Sequence, residues 1–323
     1  MTNTQKMEAG QLVFMARLAV AAALLIALFI FVPFDQLRGT FASMRIAPLT
    51  AALVAGILVQ VSVALRVQPL LRVQGLRFTL AHVLAVNLST NFYGLVLPGG
   101  NLAGILIRLY RFGGQQANYS GAVVMLVADR LFATGSMCAV GVLALLLDWP
   151  EIVRPVLALL LAAMLITLAG PLAISAYFLP THRLEVLPGR RLRESATRLV
   201  AALRLARSLS QRAVIRVSIL ALVAQVLGTL VYWFVAVASN IEISLTTMMW
   251  VRSAALLAAI VPISIAGLGV REGAFVVLLS DHGIAGADGV AISLTGFAFT
   301  SVLAALLGGV LEAWRMSRPR QDL

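Results

Sequence analysis

The sequence predicts an all-α polytopic membrane protein that forms a single domain over residues 1–323. Hydrophobic residues make up 61% of the chain and charged residues only 12%, which overrules the one or two soluble domains that this length would otherwise suggest. Several apolar runs also reach the roughly 20 residues that a transmembrane helix needs. Two further apolar segments are interrupted by proline, glycine and charge, and they determine how the rest of the chain is interpreted.

Six of the apolar runs are long enough to be full transmembrane helices. They are residues 12–33, 47–65, 119–147, 153–179, 214–238 and 290–314. The first run ends without the small-residue cleavage site of a signal peptide, so we expect it to be retained. Between the second and third runs, residues 66–77 place arginines beside leucines, and this pattern favours a segment lying at the headgroup boundary.

The first interrupted segment, residues 87–111, carries asparagines, a Pro-Gly-Gly break and two arginines at membrane depth. Lipid cannot satisfy a broken backbone, so such a segment persists only where protein or water surrounds it. We therefore expect a re-entrant hairpin with arms at 80–97 and 102–112. Residues 258–272 repeat the pattern of proline, spaced glycines and arginine, and they predict a second re-entrant hairpin with arms at 245–260 and 270–280.

The two halves of the chain follow the same order of elements. Residues 12–147 and residues 153–315 each contain two spans, a hairpin and a further span. Because each half crosses the membrane an odd number of times, the second half is expected to be inverted relative to the first, with a site near the midplane where the broken segments meet. The corresponding positions are Pro98 and Pro262, Gly104 and Gly267 or Gly269, and Arg108 and Arg271.

The formal net charge is +12, and all but one of the basic residues are arginine. No basic stretch is interleaved with base-stacking aromatic residues, so nucleic acid is not an expected partner, and anionic lipid headgroups are. Arginine in short loops favours cytoplasmic N- and C-termini. The hydrophilic loop 180–212, with eight arginines against two glutamates, then lies in the cytoplasm, either as a solvated face or as a basic helix on anionic lipid.

Neither a metal site nor a cofactor is expected. The histidines at 82, 182 and 282 lie in separate regions, and the single cysteine, Cys138, cannot form an intrachain disulfide or a thiolate cluster. The sequence also lacks a Walker A motif, so ATP is not the expected direct source of energy.

The outgoing arm of the first hairpin combines features that suit an anion. Gly100, Gly104 and Arg108 share one helix face, and the Pro-Gly-Gly break exposes backbone N–H groups at the start of that arm. A phosphate group would fit there. The alternative is a Gly-x-x-x-Gly packing face with an arginine that reaches the membrane surface.

Two adjacent pairs of charged residues lie inside apolar segments. Asp129 and Arg130 point about 100° apart on a helix, so each is expected to have its partner elsewhere, with Arg108 or Arg271 as candidates for Asp129. The same argument applies to Arg271 and Glu272. The alternative is an ion pair that only joins two helices.

The stretches LPGGNLAGILIRLYRF, ADRLF and VPISIAGLGVREGAFVVLL resemble, in this order, the lysylphosphatidylglycerol synthase transmembrane-domain family. That family includes the flippase portion of multiple peptide resistance factors and hopanoid-associated and dolichol-phosphate-associated relatives. The resemblance implies a bacterial inner-membrane protein that translocates or handles polar lipids. It points to Pro98, Gly99, Gly100, Gly104, Arg108, Asp129, Arg130, Pro262, Gly267, Gly269, Arg271 and Glu272.

Three polar residues of the ingoing arm, Asn87, Asn91 and Tyr93, complete the predicted substrate-binding set, although they would also suit contacts between helices. The sequence ends at Leu323 without the soluble aminoacyl-transferase domain of full-length resistance factors, so moving a lipid is expected rather than making an aminoacyl lipid.

The predicted function is therefore a flippase or transporter of a polar or anionic lipid, and the arginines favour a lipid with a phosphate headgroup. One alternative is a membrane enzyme that uses a lipid-phosphate or polyprenyl-phosphate donor. A second is a non-catalytic scaffold for a separate lipid-modifying enzyme. The sequence leaves open whether the chain assembles as a homo-oligomer.

Overall fold

The computed structural model describes residues 34–97, 100–148, 162–166, 210–260 and 267–317, with scattered positions between 189 and 201. Every regular element in these ranges is helical. The helices are α1 (Phe34–Ser43), α2 (Ile46–Val73), α3 (Leu80–Val96), α4 (Asn101–Leu109), α5 (Tyr119–Leu147), α6 (Gln211–Ala238), α7 (Leu245–Ile260), α8 (Val270–Ser280), α9 (Gly286–Phe297) and α10 (Leu303–Ser317). A π-helical turn over Tyr110–Gly114 follows α4, and a second one over Ala298–Val302 joins α9 to α10.

Four helical stretches are long and apolar enough to cross a membrane. They are α2, α5, α6 and the continuous run from α9 to α10, Gly286–Ser317. This confirms four predicted spans, those at 47–65, 119–147, 214–238 and 290–314, and it shows an all-α multi-pass membrane protein. The predicted span 12–33 lies outside the described residues, as do most of the span 153–179 and most of the loop 180–212.

The prediction of a headgroup-boundary segment at 66–77 is wrong for its first half. Helix α2 continues without interruption to Val73, and Arg66 is only 4% exposed. The arginines made the segment look amphipathic, but the first of them is neutralised inside the protein. Arg72 and Arg77, by contrast, are exposed.

Helices α3 and α4 form an antiparallel pair on either side of the first break. A Cβ placed on Gly104 would lie 2.6 Å from the Thr90 carbonyl oxygen, so the glycine permits close packing of α4 on α3. The outer ends of the pair also meet, because the Gln116 side chain exchanges hydrogen bonds with the backbone N–H and carbonyl of Arg77. Gly100 starts α4 at φ +56°, a conformation that favours glycine.

Helices α7 and α8 form a second antiparallel pair around the other break. Gly267, at φ +74°, packs against Ala259, and the rings of Trp250 and His282 lie 5.9 Å apart at the outer ends. Residues 261–266, between the two helices, are outside the described part of the chain. The sequence was thus correct that a short apolar helix precedes each break and a second helix follows it.

Helix α5 runs between the outer ends of the two pairs. At its start, Asn118 Nδ2 donates to the Gln74 carbonyl at 2.9 Å, close to the open end of the α3 and α4 pair. At its finish, Asp148 accepts hydrogen bonds from Thr247 and Trp250, at the open end of the α7 and α8 pair. The two pairs therefore open at opposite ends of a membrane-length helix.

Candidate functional site

The central feature of the candidate site is a buried triad of Arg66, Asp129 and Arg108. Arg66 Nε lies 2.9 Å and its Nη2 2.8 Å from Asp129 Oδ1, and Arg108 Nη1 lies 3.1 Å from Oδ2. The exposed fractions are 4%, 3% and 6% for Arg66, Asp129 and Arg108. The triad therefore joins α2, α5 and α4, on which these residues lie.

The sequence predicted part of the triad. Arg108 was one of the two partners expected for Asp129, and that pairing is confirmed. The other candidate, Arg271, is bonded elsewhere. Arg66 was missed because it was assigned to the headgroup boundary, where an arginine just past an apolar run ordinarily lies, whereas α2 continues to Val73.

The triad has more positive charge than negative, and its hydrogen-bonding groups are not all used. Two guanidinium groups share one carboxylate, and Arg108 Nε and Nη2 are buried without a partner among the described residues. The side-chain amide of Asn87, 5% exposed, also has no partner within the described residues at either its oxygen or its nitrogen. Buried polar groups are rarely left unsatisfied, so these atoms indicate a place for water or a ligand.

The packing of α4 on α3 relates these groups to each other. Gly104 lies against Thr90, and further along α4's direction Arg111 Nη1 donates to Ser89 Oγ at 3.2 Å. Along this helical stretch Arg108 lies between Gly104 and Arg111, and Asn87 lies on α3, the helix against which the stretch packs. A buried guanidinium with N–H groups that have no partner among the described residues is suited to bind a phosphate.

A second buried cluster lies at the start of α8. Arg271 pairs with Glu272, donates from Nε to Ser293 Oγ at 3.1 Å, and lies over the Phe297 ring with Cζ 4.0 Å from its centroid. Glu272 Oε2 in turn accepts the Gly269 backbone N–H at 2.7 Å. The expectation that Arg271 and Glu272 would not pair is wrong, because the glutamate folds back over the helix start and the long arginine side chain reaches it.

A third cluster surrounds Glu312 on α10. The carboxylate binds Arg111 Nη2 at 2.5 Å, accepts hydrogen bonds from Ser89 and Tyr93 of α3, and lies 3.6 Å from Arg315 Nη1. Glu312 is only 4% exposed. The sequence analysis missed it, although an acidic residue inside the predicted span 290–314 was the available signal.

A further buried arginine, Arg252 of α7, was also missed. Its Nη1 donates to Gln225 Oε1 at 3.0 Å, and its Cζ lies 5.7 Å from the centroid of the Tyr232 ring. Gly228 leaves the space that its guanidinium fills. Within the described residues no carboxylate contacts Arg252, whose guanidinium is bonded instead to the Gln225 side chain.

The other predicted residues separate into several groups. Tyr93 joins the Glu312 cluster, while Asn91 Nδ2 bonds to the Asn87 carbonyl of its own helix at 3.0 Å. Gly104 packs against α3, which matches the packing alternative for that glycine.

Arg130 lies on an exposed part of α5 and does not join the triad. Pro98, Gly99 and Pro262 lie outside the described residues.

Gly100, Gly267 and Gly269 all have positive φ at the breaks. Among the described residues, no group of three or more histidine, cysteine, aspartate or glutamate side chains offers a metal site.

A comparison with protein families gives one match over most of the chain. The model described as lysylphosphatidylglycerol synthase TM region matches residues 14–308. A comparison with curated proteins finds no match.

Proposed function

Because this chain belongs to the family of the lysylphosphatidylglycerol synthase TM region, we propose that it is a flippase or transporter of a polar lipid with an anionic, phosphate-containing headgroup. The headgroup passes through the protein interior while the acyl chains stay in the bilayer. The membrane is the bacterial inner membrane, and both termini face the cytoplasm, as the arginines of the loops favour.

The observation that carries the proposal is the excess positive charge of the Asp129 triad, which comprises Arg66, Asp129 and Arg108. Burying an arginine in a membrane protein is expensive, and a single carboxylate compensates only one of the two. Arg108 has two nitrogens without a partner in the described part of the chain, and a planar guanidinium suits phosphate oxygens. A phosphate diester would supply the missing negative charge and the missing acceptors.

The helix pairs support a route for the headgroup. We infer that α3 with α4, and α7 with α8, are re-entrant hairpins of an inverted repeat with halves at 12–147 and 153–315, in a protein with six full spans. Their antiparallel packing and their opening at opposite ends of α5 support this arrangement. In transporters of this construction, broken helices place their ends at the substrate site.

The bonding of the buried carboxylates favours transport over catalysis. Asp129, Glu272 and Glu312 are the buried acids of the described residues, and each is paired with arginine. An ion-paired carboxylate is a weak general base, because pairing stabilises its charged form. The enzyme alternative therefore lacks an evident base within the described part of the chain.

The test is translocation by the purified protein in vesicles that contain fluorescent phosphatidylglycerol. A membrane-impermeant quencher measures how fast the lipid exchanges between leaflets, and mass spectrometry of the extracted lipids measures chemical change. We expect faster exchange than in protein-free vesicles, with lipid masses unchanged.

A new lipid mass would favour the enzyme alternative. Exchange no faster than in protein-free vesicles, for all anionic and zwitterionic phospholipids tested, would contradict the proposal and favour a scaffold.

A further inference from the structure

An open cavity of about 540 Å³ lies beside the Glu312 cluster. It is lined by Tyr110, Arg111, Gly114, Gln115, Tyr119 and Arg315. These residues come from the π-helical turn after α4, the start of α5 and the end of α10. The cavity is separate from the Asp129 triad, none of whose residues lines it.

The two arginines of the cavity are held in place by one carboxylate. Glu312 binds Arg111 Nη2 at 2.5 Å and lies 3.6 Å from Arg315 Nη1. The carboxylate itself is shielded, with its side chain only 6% exposed, whereas the Arg315 side chain is 37% exposed. The cavity therefore presents a net positive charge, since two guanidinium groups are compensated by one buried acid.

The backbone also fixes the position of Glu312. Gly308 packs directly on the Leu88 carbonyl, and Gly309 packs on the Phe92 ring, so α10 approaches α3 closely just before the glutamate. Ser89 and Tyr93 then donate hydrogen bonds to the carboxylate. Because these contacts already hold the side chains around the cavity in place, little side-chain entropy is lost when an anion binds there.

The aromatic residues of the cavity indicate where it lies. Tyr110 is 67% exposed and precedes Arg111, and Tyr119 is 48% exposed and lies against Gly113 and Gly114 at the start of α5. Exposed tyrosine is typical of the boundary between bilayer and water, at the depth of lipid headgroups. The cavity is therefore placed to meet a phosphate group at the membrane surface.

We propose that this cavity is a docking site for a phosphate group, from which a lipid headgroup passes to the Asp129 triad. This inference rests on the proposed function. Arg111 and Arg108 are three residues apart on one continuous helical stretch, about 5 Å along its axis. One arginine faces Glu312 and the other faces Asp129, so a headgroup meets a second positive site soon after it leaves the first.

The test uses Gln115→Glu, which adds a negative charge at an exposed residue that lines the cavity and leaves the Glu312 cluster intact. Gln36→Glu, at an exposed position of α1, is the control with the same change. Binding of dioctanoyl phosphatidylglycerol to the full-length protein is measured by calorimetry, in the wild-type background and in Arg108→Gln. We expect Gln115→Glu to weaken binding at least five-fold in both backgrounds and Gln36→Glu to leave it unchanged.

A second variant removes positive charge instead of adding negative charge. Arg315→Gln should also weaken binding at least five-fold, and Arg72→Gln, which neutralises an exposed arginine outside the cavity, should not. In translocation assays Gln115→Glu and Arg315→Gln should raise the lipid concentration needed for half-maximal rate and leave the maximal rate within two-fold. A loss of maximal rate at unchanged apparent affinity would overturn the docking role.

Three ligands distinguish a lipid phosphate from a soluble phosphate ester as the occupant of the cavity. Dioctanoyl phosphatidylglycerol should bind more tightly than dioctanoyl phosphatidylcholine, whose choline cation is repelled, and more tightly than glycerol 3-phosphate, which lacks acyl chains. Glycerol 3-phosphate binding as tightly as the lipid would overturn the docking role in favour of a soluble ester. Unchanged binding in Gln115→Glu and Arg315→Gln would overturn the site itself, whatever the translocation assays show about the proposed function.

Discussion

Replacing Arg108 by glutamine is expected to reduce lipid translocation far more than it reduces stability. In this variant Asp129 keeps its two contacts with Arg66, at 2.8 and 2.9 Å, and loses only the one with Arg108, at 3.1 Å. The buried carboxylate thus remains paired. What disappears is the guanidinium whose Nε and Nη2 have no other partner among the described residues.

The size of the effect follows from the contact that is lost. A hydrogen bond between a charged group and its partner contributes about 1.5 to 3 kcal/mol. Since about 1.4 kcal/mol corresponds to a factor of ten in rate, translocation by Arg108→Gln should fall roughly ten-fold to a hundred-fold. Arg66→Gln is expected to lower stability more, because it removes two of the three contacts of the Asp129 carboxylate, each worth about 1.5 to 3 kcal/mol, while Asp129 stays paired with Arg108.

The comparison needs two measurements on the same preparations. Thermal unfolding in detergent reports stability, and leaflet exchange of fluorescent phosphatidylglycerol, normalised to folded protein, reports transport. Arg130→Gln removes an exposed arginine next to Asp129 and serves as the control, with both properties near wild type. Wild-type transport by Arg108→Gln, or a loss of stability as large as that of Arg66→Gln, would refute the assignment of Arg108 to the lipid.

Other expected outcomes concern packing, the second cluster and topology. Gly308→Ala should destabilise the protein by at least about 1 kcal/mol, because the added Cβ would collide with the α3 backbone. Gly273→Ala adds a Cβ that meets no neighbour and should stabilise α8 by up to about 1 kcal/mol. Thermal unfolding of both variants measures these effects. Glu272→Gln should lower stability by about 3 kcal/mol, since it leaves a buried arginine without its carboxylate, and an unchanged melting temperature would contradict that role. In a cysteine-free background, cysteines at Gln115 and Gly286 should react with impermeant reagents from opposite faces of the membrane, and labelling from the same face would contradict the re-entrant second hairpin.

Much of the fold was predictable because lipid imposes simple rules on a sequence. Long apolar runs predicted α2, α5, α6 and the run from α9 to α10, and the Pro-Gly-Gly break predicted the boundary between α3 and α4. The end of α2 was not predictable from composition, since an arginine at a helix end and a buried arginine look the same in sequence. Only the carboxylate of Asp129, 63 positions away, distinguishes the two cases.

The site was less predictable because its contacts join distant segments. Asp129 was expected to need a partner, and Arg108 was one of two candidates, but nothing in the sequence ranked Arg66 among them. Glu312 and its partner Arg111 are 201 positions apart, so their pairing depends on how α10 packs against the first helix pair. The argument from helix geometry failed for Arg271 and Glu272 because it treated both side chains as short and rigid.

The two-to-one ratio of arginine to carboxylate in the Asp129 triad has an electrical consequence. Moving one elementary charge through a membrane potential costs or gains about 2.3 kcal/mol per 100 mV. The empty triad carries one net positive charge, from two guanidinium groups and one carboxylate. A bound phosphate diester would cancel that charge, so voltage would act on the triad only while it is empty. In a transport cycle in which the triad moves through the membrane field, the potential would act on the unloaded step and leave the loaded step nearly unaffected.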